Sequence, residues 1–226
     1  MPETTSDIAL LLSGGLDSGV LLGRLLDRGQ MVRPIYVDSG LAWQQAELAA
    51  LRGFLTAVDS EQIRPLVVLQ MPLDDVYSGH WSLTGQDVPD LTSGDEAVYL
   101  PGRNALLLVK SALWCHTRGI RRLALGVLST SPFADAGAGF FEQFEGAMNT
   151  ALGGRLCLLR PLVGFTKRAV MQLGDGLPLG LTFSCVAPMG PLHCGRCNKC
   201  AERHSAFVDA GLHDPTEYAI AVSLAE

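Results

Sequence analysis

The sequence predicts a doubly wound α/β fold with a mostly parallel, five-stranded sheet. Short apolar runs alternate along the chain with stretches of helical periodicity. The apolar runs are bounded by glycine, proline or polar turn residues, as expected of buried parallel strands. Hydrophobic residues make up 48% of the 226 positions, which is enough to cover both faces of such a sheet.

The first half of the chain supplies three strands and two helices. Ile8–Leu12 is a short apolar strand that ends in Ser-Gly-Gly. Valine and leucine then recur at helical spacing until Gly29, a residue that favours a helix end. The elements that follow are a strand, a helix and a strand: Val32–Val37, Trp43–Ala57 and Pro65–Leu69.

An irregular stretch precedes the second half. From Pro72 to Tyr99 the pattern loosens, and this length is unusual for an idle connection, so we expect the stretch to border an active site. Helices are then predicted at Asn104–Thr117, Phe140–Leu152, Thr166–Leu173 and Ala201–Ala210, and strands at Leu123–Val127 and Leu156–Leu159. The four-residue spacing of Phe140, Phe144, Met148 and Leu152 predicts a stripe that faces the core.

The segment Ser13-Gly14-Gly15-Leu16-Asp17-Ser18, which we call the phosphate loop, joins the first strand to the first helix. Its glycines let the backbone turn around an anion, and the helix start supplies N–H donors. The two serines add hydroxyl donors, whereas Asp17 suits Mg²⁺ or its water shell. The loop lacks the Gly-Lys-Ser/Thr ending and the third glycine of two familiar nucleotide loops. A plain turn with a helix cap is the alternative interpretation.

Four of the six cysteines crowd near the end of the sequence: Cys185, Cys194, Cys197 and Cys200. Two-residue gaps bring sulfur atoms to one ion, and Gly195 supplies a permissive turn. Four thiolates close a tetrahedral shell, which predicts a structural zinc ion; free or redox-active cysteines are the alternative. His193 is a less favoured ligand. Cys115 and Cys157 fall in apolar periodic segments and are expected in the core.

The formal net charge of −6 argues against binding to a nucleic-acid backbone and favours a small-molecule substrate. No apolar run reaches membrane-spanning length, and Met1–Asp7 lacks the features of a signal peptide, so we expect a cytoplasmic protein with no membrane partner. We expect a nucleotide-binding α/β domain at residues 1–180 and a zinc-binding segment packed on it at 181–226. A homodimer is left open.

The phosphate loop resembles the PP-loop of the ATP pyrophosphatase superfamily, which implies a fold like that of the adenine nucleotide alpha hydrolases. The resemblance implies ATP bound by its terminal phosphates with Mg²⁺, transfer of AMP to a substrate oxygen and release of pyrophosphate. The implied ATP-binding residues are Leu12, Ser13, Gly14, Gly15, Leu16, Asp17 and Ser18. Asp38 matches the position that holds adenosine in this superfamily, although it could instead cap the next helix.

Two further motifs narrow the resemblance. Tyr99-Leu-Pro-Gly-Arg-Asn104 and Arg160-Pro-Leu-Val-Gly-Phe-Thr-Lys167 each precede a helix. With the loop and the cysteine spacing, they resemble the 7-cyano-7-deazaguanine synthase family of the queuosine precursor pathway, from Ile8 to Phe207. The resemblance implies an ATP-dependent ligase in which 7-carboxy-7-deazaguanine is adenylated, converted by ammonia to an amide and activated again to give the nitrile.

The same resemblance implies three catalytic residues: Asp17, Arg103 and Lys167. Arg103 is suited to bind a carboxylate or phosphate with two hydrogen bonds, and Lys167 is suited to neutralise pyrophosphate. Each also has a plain structural interpretation, since Arg103 could form a salt bridge at a helix start and Lys167 could be a solvated residue of a first helical turn.

The sequence departs from the synthase family in two segments, 38–43 and 128–135. Asp38-Ser-Gly-Leu-Ala-Trp43 replaces a Tyr-Gly-Gln run, and Leu128-Ser-Thr-Ser-Pro-Phe-Ala-Asp135 replaces an Asp-Tyr-Ser-Gly-Tyr-like segment with a Cys-Arg pair. These departures leave open an enzyme that adenylates a different small substrate. A tRNA-modifying or sulfur-transferring PP-loop protein and a nucleotide-sensing zinc protein without turnover are the further alternatives.

Overall fold

The computed structural model describes residues 7–223, and its central feature is a parallel sheet of five strands. The strands are β1 (Ile8–Leu11), β2 (Val32–Asp38), β3 (Val67–Gln70), β4 (Arg122–Ala124) and β5 (Cys157–Leu159). Their order across the sheet is β3-β2-β1-β4-β5, and every neighbouring pair is parallel. The predicted doubly wound fold is therefore confirmed. The order reverses at β1, which places the topological switch point at its carboxyl end.

Seven α-helices accompany the sheet within the described range. They are α1 (Leu16–Asp27), α2 (Gln44–Val58), α3 (Trp81–Thr84), α4 (Arg103–His116), α5 (Ala138–Leu152), α6 (Lys167–Leu173) and α7 (Asn198–Ala210). The irregular stretch between β3 and α4 contains the single-turn helix α3 and a 3-10 turn at Asp95–Val98. No helix of residues 7–223 is long and apolar enough to cross a bilayer.

The helix α7 begins at Asn198, three positions earlier than the sequence predicts. Cys197 occupies its N-cap position with an extended backbone (φ −99°, ψ 160°), so the cysteine pattern runs into the first turn. The polar residues Asn198 and Lys199 carry no apolar periodicity, and for that reason the pattern alone placed the start at Ala201. The earlier start puts Lys199 on a helix.

The core has one hydrophobic layer on each face of the sheet. Successive residues of β1 point to opposite faces, as strand geometry requires. Leu10 packs with Val20 and Phe54 on the α1 and α2 side, whereas Ala9 packs with Leu108 on the other. Phe140, Phe144 and Met148 of the predicted α5 stripe are partly buried against this second layer, and Phe141 is the fully buried aromatic residue of the helix.

The two isolated cysteines have different environments. Cys115 is fully buried in α4, as predicted. Cys157 is exposed, so its predicted place in the core was wrong. It begins β5, one of the two edge strands of the sheet, and an edge strand is covered less completely than the central strands.

The cysteine-rich segment packs directly against the α/β unit. The backbone N–H of Phe183 donates to the carbonyl of Gly14 over 2.7 Å. A third buried cluster contains Trp43, Leu100 and Phe183 together with the four C-terminal cysteines. These contacts bring the C-terminal segment to the phosphate loop, and the division into two units at residue 180 stays a prediction.

Candidate active site and metal centre

A cleft of about 450 Å³ lies at the carboxyl ends of β1, β2 and β4. Its wall comes from the phosphate loop, the end of β2, the segment before α4, the segment after β4, and α7. Asp95, Val98 and Tyr99 also line it, so the irregular stretch borders the cleft, and the expectation that this is an active site stays a prediction. A doubly wound sheet binds ligands at this place because strand ends and helix starts meet there.

The phosphate loop holds a tight conformation at the start of α1. Gly14 has a φ of +89°, and a Cβ atom there would lie 3.2 Å from the Cβ of Leu51. The N–H of Gly15 donates to Ser13 Oγ at 3.3 Å, and Ser18 Oγ donates to the carbonyl of Gly15 at 3.1 Å. Gly15 caps α1 without a side-chain hydrogen bond. The first N–H groups of α1 therefore lie beside the cleft without a side-chain cap, an arrangement suited to an anion.

Lys167, the first residue of α6, pairs with Asp17 of the phosphate loop. The Nζ atom of Lys167 lies 2.7 Å from Asp17 Oδ1. Thr166 fixes the start of α6 because its hydroxyl accepts the N–H of Ala169 at 3.2 Å. The pair places one cation and one anion at the mouth of the loop, where phosphate and Mg²⁺ would each find a partner.

Two residues of α7 extend this ion pair. Glu202 Oε1 lies 3.9 Å from Lys167 Nζ, and Glu202 Oε2 lies 2.5 Å from Lys199 Nζ. Burial raises the pKa of the Glu202 carboxyl, but the ammonium groups of Lys199 and Lys167 outweigh it, so the net shift is downward. Glu202 is therefore an anion at neutral pH.

A buried polar group lies on the β2 and α2 side of the cleft. Tyr36 donates its hydroxyl hydrogen to Glu47 Oε2 over 2.6 Å. Burial raises the pKa of Glu47, and the positive charge of Arg103 and the Tyr36 hydrogen bond only partly oppose this effect. Burial also raises the pKa of Tyr36, so the phenol stays protonated.

Arg103 stands at the start of α4, facing this group. Among the described residues its buried Nε atom has no hydrogen-bond partner. Asp135 fixes the helix start, since its Oδ2 atom accepts the N–H of Asn104 at 2.9 Å and its carbonyl accepts the Asn104 amide at 3.0 Å. An arginine with a spare donor in a cleft is suited to an incoming carboxylate or phosphate.

The structure brings most of the predicted site residues together. Those that line the one cleft are Leu12, Ser13, Gly15, Leu16, Asp17, Ser18, Arg103 and Lys167. Gly14 lies beneath them against α2. Asp38 ends β2, and its Oδ1 atom accepts the N–H of Gly40 at 3.2 Å; among the described residues it is outside the cleft wall, whereas Val37 is part of it. The roles of all these residues stay predictions.

The four C-terminal cysteines form a compact buried cluster. Their Sγ atoms all lie within 4.8 Å of one another, with three separations of 3.9, 3.9 and 3.5 Å. A tetrahedral zinc ion with Zn–S bonds of about 2.3 Å needs S–S separations of about 3.8 Å. The cluster therefore fits one metal ion.

Backbone groups around the cluster match this interpretation. The N–H groups of Cys194, Gly195 and Arg196 donate to cysteine sulfurs at 3.3 to 3.4 Å, as they do around metal-bound thiolates. Gly195 has a φ of +78°, and a Cβ atom there would overlap the carbonyl oxygen of Ile220. His193 is engaged elsewhere, because its Nε2 atom accepts the N–H of Ser184 at 3.1 Å. The four cysteines are thus the group that could hold a metal ion, and their role as zinc ligands stays a prediction.

Comparison with known proteins gives the family. The family model described as "Queuosine biosynthesis protein QueC" matches residues 7–211, which include the cleft and all four cysteines. This chain belongs to the QueC family. Named relatives match most of its length: a 7-cyano-7-deazaguanine synthase 1 from Desulfitobacterium hafniense is 33% identical, covering 88% of this chain and 90% of that protein.

A second QueC-family relative supports the same conclusion. The 7-cyano-7-deazaguanine synthase of Thiobacillus denitrificans is 31% identical, with 93% of this chain and 97% of that protein covered. Both relatives are named synthases, which supports an enzyme. Among solved structures, a predicted subunit of a tRNA methyltransferase from Methanocaldococcus jannaschii has a TM-score of 0.50 at 15% identity, covering 76% of this chain and 75% of that one. This likeness concerns the fold alone.

Sequence reasoning missed two parts of the QueC-family cleft. Glu47 shares the buried face of α2 with Leu51 and Phe54, so a carboxylate on an otherwise apolar stripe was the available signal. Lys199 and Glu202 gave no such signal. Their place at the cleft depends on how the cysteine cluster orients α7.

Proposed function

We propose that this protein is an ATP-dependent ligase that converts 7-carboxy-7-deazaguanine and ammonia to 7-cyano-7-deazaguanine through adenylated intermediates. Two relatives that match most of this chain are named for this product. The observation that carries the proposal is the phosphate loop at the switch point, with Asp17 and Lys167 2.7 Å apart at its mouth. Anion-binding amides, a metal-binding carboxylate and a cation then meet where the α-phosphate must be attacked and pyrophosphate must leave.

The proposed reaction uses ATP twice. A carboxylate oxygen of the substrate attacks the α-phosphorus, and the bond to pyrophosphate breaks. Ammonia then attacks the acyl carbon, AMP leaves with that oxygen, and a proton is lost to give the amide. The amide oxygen is adenylated in the same way, and loss of AMP and of both amide protons leaves the nitrile. The net change is the gain of one ammonia and the loss of two waters.

The residues of the cleft divide the work by charge. The N–H groups at the start of α1 hold the terminal phosphates, and Asp17 would hold the accompanying Mg²⁺, which would supply positive charge beside those phosphates when bound. Lys167 leaves Asp17 for the pyrophosphate as negative charge builds on the leaving group. Arg103 offers its spare donor to the carboxylate of the acid substrate and orients the attacking oxygen.

The cysteine cluster has a structural part in this proposal. We call residues 194–200 the cysteine knuckle; α7 begins within it. When zinc is bound, it cross-links this knuckle and supplies folding stability rather than chemistry. Cys185 comes directly after Ser184, which lines the cleft, and Cys200 precedes Glu202 by two residues. We place the reaction in the cytoplasm, with small molecules as its partners.

Mass spectrometry tests the proposal directly. The protein is incubated with ATP, Mg²⁺, ammonium and 7-carboxy-7-deazaguanine, and the products are compared with a reaction that lacks ATP. We expect the amide, one ammonia heavier and one water lighter than the acid, and then the nitrile, with AMP and pyrophosphate released. Absence of both products while another acid gives AMP would reject the deazaguanine substrate.

A different small acid or amide is the second candidate substrate. Residues 130–133 line the cleft, and they belong to the segment in which this chain departs from the synthase pattern. Tyr99 stacks on Phe133 there, with ring centroids 5.0 Å apart. Because this wall is built from residues particular to the chain, the mass-spectrometric screen includes a panel of other heterocyclic and aliphatic acids.

A further inference from the structure

Lys199 is a second lysine at the cleft, and it comes from the cysteine knuckle. It lies in sequence between Cys197 and Cys200, and it lines the same cleft as the phosphate loop. Its ammonium group pairs with Glu202 one turn further along α7. Neither residue belongs to the phosphate loop or to the metal-ligand set, so the roles proposed above leave both without a function.

The side chains of four charged residues, from Asp17 to Lys199, form one row of alternating charge. Asp17 contacts Lys167 at 2.7 Å, Lys167 lies 3.9 Å from Glu202, and Glu202 contacts Lys199 at 2.5 Å. Its two carboxylates and two ammonium groups give this row of side chains no net charge. The row begins on the phosphate loop and ends on the cysteine knuckle.

A bound nucleotide changes the balance of charge in this row of side chains. If Asp17 turns to Mg²⁺ and Lys167 to a phosphate oxygen, Glu202 remains as an anion close to the pyrophosphate end of ATP. The Glu202 carboxylate and the phosphate oxygens are both negative, so they repel each other unless a cation stays between them. Lys199 is the nearest described cation to Glu202, with its ammonium group at the cleft wall.

We propose that Lys199 is a second phosphate-binding cation, directed with Lys167 at the pyrophosphate end of the nucleotide. Glu202 holds both ammonium groups in place until phosphate oxygens replace it. The proposal rests on the proposed function, since it assumes that the phosphate loop binds a nucleotide.

The neighbours of Lys199 are fixed in a way that suits this role. Cys197 and Cys200 belong to the buried sulfur cluster, and the N–H of Cys200 donates to the carbonyl of Cys197 at 2.9 Å. Asn198 donates its backbone N–H to the carbonyl of Pro89 at 3.0 Å and its side-chain amide to the carbonyl of Ser93 at 2.5 Å. Because the backbone that carries Lys199 is already ordered, only the lysine side chain has to lose freedom when its ammonium group binds phosphate.

Calorimetric titration with inorganic pyrophosphate and Mg²⁺ tests the assignment on the zinc-loaded protein. Lys199→Gln should weaken pyrophosphate binding about tenfold, because one charge-assisted hydrogen bond is lost. Glu202→Gln should strengthen it, because an anion is removed and two ammonium groups are released. Lys199→Arg should retain most of the affinity. Lys110→Gln, on the exposed surface of α4, is the matched control and should leave it unchanged.

The opposite changes in affinity expected for Lys199→Gln and Glu202→Gln distinguish an effect of charge from damage to the fold. A variant that merely damages the knuckle lowers affinity whichever residue is changed, so zinc content and the unfolding midpoint are measured for each protein. Unchanged affinity in Lys199→Gln, or weakened affinity in a zinc-loaded Glu202→Gln, would overturn the assignment while wild-type binding persists. A wild-type protein that binds neither ATP nor pyrophosphate would instead reject the proposed function itself.

Discussion

Lys167 and Asp17 form an ion pair of 2.7 Å across 150 positions of sequence. Each side chain is 27% exposed, so solvent reaches the pair and a ligand can replace either partner. The pair joins the first turn of α6 to the phosphate loop. We assign the pair to function and not to stability because it is accessible to solvent, and exposed ion pairs contribute little to folding.

Replacement of Lys167 by glutamine should impair catalysis far more than folding. Loss of the cation that meets the leaving pyrophosphate should lower kcat/KM for ATP by about a hundredfold. The rate of AMP formation measures this effect. Arg168→Gln changes the exposed neighbour and serves as the control. Equal losses in the two variants would contradict a specific role for Lys167.

Replacement of Gly14 by alanine should destabilise the protein by about 1–2 kcal/mol, because a side chain is forced into the left-handed region. The φ of +89° would strain the alanine backbone, and the new Cβ atom would be crowded by Leu51 Cβ at 3.2 Å. Urea unfolding measures the change. Gly139→Ala is the matched control, since that position in α5 has open space and should show no loss. A stable Gly14→Ala protein with full ATP turnover would show that the loop relaxes freely.

Zinc should be present at about one ion per chain, held by the four-cysteine cluster. Cys197→Ser should reduce the metal content measured by atomic absorption and lower the unfolding temperature, as should a strong chelator. Cys157→Ser, an exposed cysteine outside the cluster, should leave both unchanged. Full metal content in Cys197→Ser would exclude this residue from the ligand set.

Glu47 should give the stability of the protein a specific pH dependence. Burial raises the pKa of its carboxyl above the ordinary 4.5, so the folded protein retains a proton that the unfolded chain has released. The contribution of Glu47 to the free energy of unfolding therefore falls as the pH rises above that value. In Glu47→Gln this dependence is removed.

Urea unfolding at pH 5 and pH 8 measures the effect of Glu47. The stability of the wild type relative to Glu47→Gln should decrease from the lower to the higher pH. Glu61→Gln, at an exposed position, should show a constant difference from the wild type. A constant difference for Glu47→Gln as well would mean that the carboxyl titrates as it does in the unfolded chain.

The fold and two of its sites were readable because their signals are local. A buried strand followed by a glycine turn and a helix occupies adjacent positions, so residues 8–27 reveal the phosphate loop without any knowledge of the rest. The spacing of Cys194, Cys197 and Cys200 likewise belongs to one short knuckle. Cys157 was misplaced because an apolar run does not say whether its strand is central or at an edge of the sheet.

The sequence by itself determined the doubly wound architecture, the loop after β1 and the set of four cysteines, since each follows from periodicity or from fixed short spacings. Tertiary structure alone decided which distant charges meet. Lys167 reaches Asp17, and Lys199 and Glu202 join them, because α6 packs against α1 and α7 packs against α6. Electrostatic partnership depends on distance in space, and along this chain the packing of helices sets that distance.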